Sequence, residues 1–210
     1  MPNRALLLAL SLGAFSIGTD GFVISGLLDR IATDIDVTPT VAGQLVTVFA
    51  LVYAFSAPIL AALTAKVRRK PLLMGAITMF VVSNALGAVA PDYTVLMIAR
   101  ILAAIGAGLY IPCGIAITVS VTPAQYRGRA IALVAGGMSA ATALGVPLGT
   151  LIGALGSWRI TLLMVAVLAA LATLALLLTM PHVPTPLAVG VRERLAVAGH
   201  PGVLAALLSN

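Results

Sequence analysis

Charge is scarce in this chain. Only 9% of its 210 residues are Asp, Glu, Lys or Arg, where a soluble domain carries about 25%. That leaves too few charges to clothe a water-exposed surface, and a chain this apolar is not disordered. Cysteine occurs once, as Cys113, so the chain forms no internal disulfide and no cysteine metal cluster. Histidine occurs twice, as His182 and His200, both beyond the last long apolar run. A buried Ser–His pair for hydrolysis within a membrane is therefore missing, as is the H-E-x-x-H spacing of a zinc protease. No Walker loop and no dinucleotide fingerprint is present. These shortages argue against an enzyme and against an ATP-driven pump, and no cofactor or metal is expected.

What the chain has in excess is apolar length. Hydrophobic residues make up 61% and the mean hydropathy is +1.15. Six apolar runs lie at about 5–28, 41–65, 71–90, 94–120, 130–154 and 160–180, each near the roughly 20 residues that cross a bilayer. None alternates polar and apolar positions, so a barrel is excluded. Helices satisfy their own backbone in lipid, so all six are expected to be helices. The first run is too long for a signal peptide and carries Asp20, with no cleavage site after it. The fold class is thus an all-α membrane protein with a six-helix bundle over 1–180. Pro181, Pro184 and Pro186 end the sixth helix. Residues 181–202 read as a linker, and 203–210 as the cut start of a seventh span.

The formal net charge of +6 comes from 12 basic and 6 acidic residues. Nucleic-acid binding needs a solvated basic face, and here the bases sit between apolar runs, so no nucleic-acid partner is expected. With the N-terminus inside, the inner segments hold Arg4, Lys66, Arg68, Arg69, Lys70, Arg127, Arg129, Arg192 and Arg194, and the outer loops hold Arg30 and Arg159. The positive-inside rule therefore puts both termini on the cytoplasmic side of a cell membrane. Tyr93 and Trp158 then sit at the outer interface and Tyr126 at the inner one, as an aromatic belt requires.

Two ionisable residues fall inside spans, Asp20 and Arg100. Such groups are costly in lipid and mark functional sites. At 1.5 Å per residue both lie roughly 9–12 Å in from the outer face, on helices of opposite direction. They are expected to pair directly or through water. The pair reads as a proton-sensitive carboxylate beside a fixed positive charge; a structural ion pair or a snorkelling arginine is the plainer alternative. The fifth run repeats small residues every four positions, at Gly137, Ala141, Gly145, Gly149 and Gly153. This is a smooth stripe for close helix approach, suited equally to gating and to static packing. Pro147 within it invites a kink. The loop Lys66-Val67-Arg68-Arg69-Lys70 orients the protein and is placed to latch neighbouring helix C-termini, which are electronegative.

These motifs resemble the major facilitator superfamily, in its drug:proton antiporter branch of about twelve spans, near the arabinose-efflux and chloramphenicol-efflux type. Gly18-Thr19-Asp20-Gly21-Phe22 and the residues to Leu28 resemble that branch's first-helix motif, with Asp20 at its acidic position. Leu96-Met97-Ile98-Ala99-Arg100 and the residues to Gly106 are similar to its fourth-helix arginine motif. Gly145-Val146-Pro147-Leu148-Gly149 resembles the fifth-helix antiporter motif, although the family has glycine directly before the proline. In the loop motif Lys66, Arg69 and Lys70 match, whereas Ala61 and Ala65 replace the family's glycine and aspartate.

The resemblance implies the N-terminal half of the family fold, two inverted three-helix repeats, with substrate bound between this bundle and a second one. It further implies proton-coupled efflux of a small molecule by alternating access. Asp20 and Arg100 would couple protons, and Gly145, Pro147 and Gly149 would shape a moving interface. The partners would be substrate, protons, the lipid bilayer of a bacterial cell, and either a C-terminal half or a second copy. An inactive truncated product, a membrane scaffold and a half-size dimeric carrier stand as alternatives.

Overall fold

The computed structural model describes residues 4–64 and 67–180, so the expected linker and seventh-span start lie outside the described residues. Among those described, every regular element is helical. Span 1 is α1 (Arg4–Val23), prolonged by a 3-10 turn (Ile24–Gly26), and a short helix α2 (Leu28–Asp34) follows. Span 2 is α3 (Pro39–Leu63), span 3 is α4 (Arg69–Ala88) and span 4 is α5 (Tyr93–Val121). Span 5 is built of α6 (Arg127–Ala140), a π-helical turn (Ala141–Gly145) and α7 (Val146–Leu155). Span 6 is α8 (Trp158–Thr179). All six are long and apolar enough to cross a membrane.

Local chemistry sets the starts of spans 2, 4 and 6. The side chains of Thr38, Asp92 and Ser157 accept the backbone N–H groups of Val41, Val95 and Arg159. Each cap satisfies a donor that the first turn leaves without a partner. All three lie at one end of the bundle, with Asp34; the basic residues of the loops between spans 2 and 3 and between spans 4 and 5 lie at the other.

The first span ends earlier than its expected limit at residue 28. The chain tightens into the 3-10 turn, and Leu27 leaves helical geometry at φ −120°. The short α2 then buries Ile31 and Ala32 and leaves its polar residues outward. Asp36 closes the connection at φ 52°, a left-handed conformation that Asp tolerates better than most residues. The turn residues Ile24 and Leu27 are fully buried, so by composition they are indistinguishable from the span they terminate.

Helix packing carries an internal symmetry. Span 3 packs on span 4 as span 6 packs on span 1, span 4 packs on span 2 as span 1 packs on span 5, and spans 3 and 6 pack on each other. Exchanging 1 with 4, 2 with 5 and 3 with 6 leaves this pattern unchanged. Three helices reverse the chain's direction across the membrane, so the two halves are inverted repeats. The symmetry extends to side chains at the span 3–span 6 contact. Lys70 Nζ, at the start of span 3, donates to the Met180 carbonyl just past the end of span 6, at 2.9 Å. Arg159 Nη2, at the start of span 6, donates to the Ala90 carbonyl just past the end of span 3, at 3.0 Å. Each cation meets an electronegative helix C-terminus, so the antiparallel pair is pinned at both membrane faces.

Burial is uneven. Span 1 is the most enclosed, while spans 2 and 5 are largely exposed and span 4 is intermediate. Spans 1 and 4 thus form the interior of the bundle, which is where the two intramembrane charges lie.

Candidate functional site

Asp20 and Arg100 meet directly. Arg100 Nη1 donates to Asp20 Oδ1 at 2.7 Å, and Nη2 approaches the Asp20 backbone carbonyl at 3.5 Å. The exposures of 0% and 2% put both charges inside the protein. A charge taken from water is tolerated only when paired with good geometry, and the short charge-assisted bond meets that demand. Arginine suits the place because its planar guanidinium reaches carboxylate and carbonyl together. Its flat face is also used, with Cζ 4.1 Å from the ring centroid of Phe49 on span 2. Asn84 of span 3 stands beside the carboxylate, its Nδ2 donating to the Phe80 carbonyl at 3.1 Å. Asp20 Oδ2 and Arg100 Nε have no hydrogen-bond partner among the described residues. Four spans therefore converge on one ion pair, and one carboxylate oxygen retains lone pairs able to accept a proton.

Span 1 carries Asp20 along a close seam with span 5. A methyl group on Gly145 would overlap the Thr19 hydroxyl, next in sequence to Asp20. One on Gly149 would lie 2.7 Å from Val23 and 3.2 Å from Thr161. Gly137 and Gly153 abut the Ser11 carbonyl and Leu27 in the same way. The four-residue stripe is thus the contact face toward span 1. The π turn ends at Gly145, with Val146 between it and Pro147. Proline has no N–H to give to the preceding turn, and proline and π turns are both recognised causes of a helix kink. Thr150 Oγ1 donates back toward the Val146 carbonyl at 2.9 Å, just past the proline.

At the basic end Lys66 lies outside the described residues. Arg69 exposes its backbone carbonyl to the Cys113 thiol at 3.6 Å, and Lys70 forms the clamp onto span 6. At the opposite end Asp34 gathers two partners from the start of span 6. Trp158 Nε1 donates to its Oδ2 at 3.1 Å, and Arg159 forms an ion pair with the same oxygen. The Arg159 hydrogen bond holds the Asp34 carboxyl below its ordinary range, with the Trp158 indole helping. The Arg159 guanidinium also lies 4.3 Å from the Trp158 ring centroid.

Phe49 and Asp34 carry no mark of their partners in the sequence, and Tyr110 is marked only as a polar residue within an apolar span. Phe49 is one apolar residue in an apolar span. Tyr110 is buried with its hydroxyl 3.1 Å from the Leu10 carbonyl, in space that Gly13 leaves open. Asp34 reads as one of four loop acids. Among the described residues no three His, Cys, Asp or Glu gather as a metal site. The arrangement thus holds a buried, paired carboxylate with one unpartnered oxygen and, beside it, a close seam of small residues between spans 1 and 5.

Comparisons with known proteins agree with this fold. The chain is 38% identical to the MFS-type transporter YbcL of Bacillus subtilis over 89% of its own length and 49% of that protein's. It is 36% identical to a chloramphenicol resistance protein of Streptomyces lividans over 80% of its length and 42% of that protein's. It therefore spans about half the length of the relatives it matches. Its fold matches that of a bacterial homologue of the human lysosomal transporter Spinster, solved inward-facing and unoccupied. That match has a TM-score of 0.78 at 20% identity, over 100% of this chain and 50% of the other. The Major Facilitator Superfamily model matches residues 10–209. With six spans in two inverted repeats around a buried Asp–Arg pair, this chain belongs to the Major Facilitator Superfamily, a family of transporters and not of enzymes.

Proposed function

We propose that the chain is the N-terminal bundle of a proton-coupled efflux carrier working by alternating access. The observation that carries this reading is the Asp20–Arg100 pair, wholly buried yet with Asp20 Oδ2 unpartnered among the described residues. A charged carboxylate keeps Arg100 on span 1 through a charge-assisted bond. Protonation weakens that bond, so proton uptake and helix position become linked. Gly145 and Gly149 let span 5 approach span 1 closely, and Pro147 with its π turn lets span 5 bend there. The efflux direction draws support from the relative named for chloramphenicol resistance. The substrate is a small molecule, drug-like or sugar-like. The exposed faces of spans 2 and 5 receive a second bundle, and substrate binds between the two. The membrane is a bacterial cell membrane with both termini cytoplasmic, because the basic loops then face inward.

Everted membrane vesicles test this. With an acid interior they should accumulate the substrate, screened among an amphenicol, a sugar, a nucleoside and a lipophilic cation. A protonophore should abolish the accumulation. Accumulation that persists with the protonophore would overturn proton coupling.

A further inference from the structure

The Arg100 guanidinium has two neighbours of different kinds. Its edge meets Asp20 at 2.7 Å, and its face meets the Phe49 ring at 4.1 Å. Nε has no hydrogen-bond partner among the described residues, so the electron-rich ring face supplies a contact that no hydrogen bond replaces. A cation on an aromatic face is held most strongly where water is excluded, and Phe49 itself is only 7% exposed. The ring lies parallel to that of Tyr53, one turn along span 2, with centroids 6.4 Å apart and planes 5° apart. Span 2 is otherwise the least enclosed of the six spans. The one aromatic side chain that it turns inward onto the ion pair therefore belongs to the helix most open to outside contacts.

We propose that Phe49 is a positioning residue for proton exchange: its ring face holds the Arg100 guanidinium on Asp20, and movement of span 2 withdraws that support. The proposal rests on the reading of Asp20 as the proton-exchanging group. The groups around the carboxylate are few. Arg100 comes from span 4 and the neutral Asn84 from span 3, while Tyr53 stacks on Phe49 one turn along span 2. The charges of spans 5 and 6, Arg127, Arg129 and Arg159, sit at helix ends. A change at Phe49 therefore reaches Asp20 through Arg100.

The test is an infrared pH titration of the Asp20 carboxyl in the whole chain reconstituted in lipid. The band is assigned by its loss in Asp20→Asn. Phe49→Leu should move the midpoint by about one pH unit, a tenfold change in proton affinity, and Phe49→Tyr should keep the wild-type midpoint. Fluorinated phenylalanines at position 49 preserve ring shape while draining charge from the face, and should move the midpoint progressively. They decide the matter if Phe49→Leu fails to insert. A midpoint that stays fixed through the fluorinated series would overturn the role of Phe49. A carboxyl that does not titrate in the unmodified chain would instead overturn the proton reading on which the proposal rests.

Discussion

Glycine at 145 is where a single hydrogen in place of a methyl group decides how close two helices come. A Cβ there collides with the Thr19 side chain, whereas one at Gly136, on the same span, meets nothing within 4 Å. Thr19 has no room to move aside: it is fully buried, and its hydroxyl donates to the Phe15 carbonyl at 2.9 Å. Gly145→Ala should therefore destabilise the chain by about 1–3 kcal/mol, the usual range for overpacking. Gly136→Ala should be neutral, or stabilising by up to about 1 kcal/mol from lost backbone freedom in the unfolded chain. Thermal unfolding of the two variants in one detergent checks this; equal losses would show that the seam is looser than the structure places it.

The same scale shows what a sequence discloses. Asp20 and Arg100 stand out because charge is rare within apolar runs, and their matching depth on opposed helices anticipates the contact. The stripe from Gly137 to Gly153 stands out by its spacing. Phe49 does not stand out, because an aromatic ring in an apolar span has no contrast with its neighbours, and Tyr110 stands out only by a hydroxyl that does not name its partner. Their partners are set by helix rotation and by tertiary packing, which spacing along one chain does not encode.

At the level of elements, the connections hold more than their composition declares. The six spans and their order were legible from hydropathy and length. The short helix Leu28–Asp34 and the π turn Ala141–Gly145 were not, since each is made of residues equally at home in a regular helix. Pro147 marks the place of a distortion without stating its form. Asp34, near the end of the short helix, joins that connection to the start of span 6 through Trp158 and Arg159.

This cluster has a defined pH dependence. Partners hold the Asp34 carboxyl below its ordinary value of 3.8. Its contribution to the folded state is thus complete above the unfolded value and is lost as pH falls through the lower, folded one. Asp34 and Arg159 are both partly open to solvent, so salt screens the pair. Trp158 is the single tryptophan of the chain, which makes its fluorescence a local reporter. Its emission should hold steady from neutral pH to about 4 and change only below that. Arg159→Gln should move the change to higher pH. An emission that titrates identically in both proteins would dissociate Arg159 from Asp34.

For the molecule as a whole, the unequal burial of the spans is the informative feature. Span 2 presents Phe55 at 65% exposure and span 5 presents Leu144 at 59%, while span 6 presents Leu171 at 51%. In lipid all three faces are acceptable alone. In a two-bundle carrier the faces of spans 2 and 5 are covered, and that of span 6 remains against lipid. Cysteines introduced at Phe55 and Leu144 should lose reactivity toward a membrane-permeant maleimide when a complementary bundle is present, and one at Leu171 should keep it. The native Cys113 is buried and gives a low background. Reactivity that is unchanged at all three positions would mean that spans 2 and 5 are not the joining faces.

The central claim is that Asp20 carries the proton. It is tested most directly in vesicles by replacing that carboxylate with its neutral isostere and following the collapse of an imposed pH gradient when substrate is added. The unmodified carrier should dissipate the gradient as it moves substrate. Asp20→Asn should insert at the same level yet show neither gradient-driven export nor substrate-triggered proton flow. Undiminished proton-driven export by Asp20→Asn would contradict the account and leave the buried pair as a structural tie between spans 1 and 4.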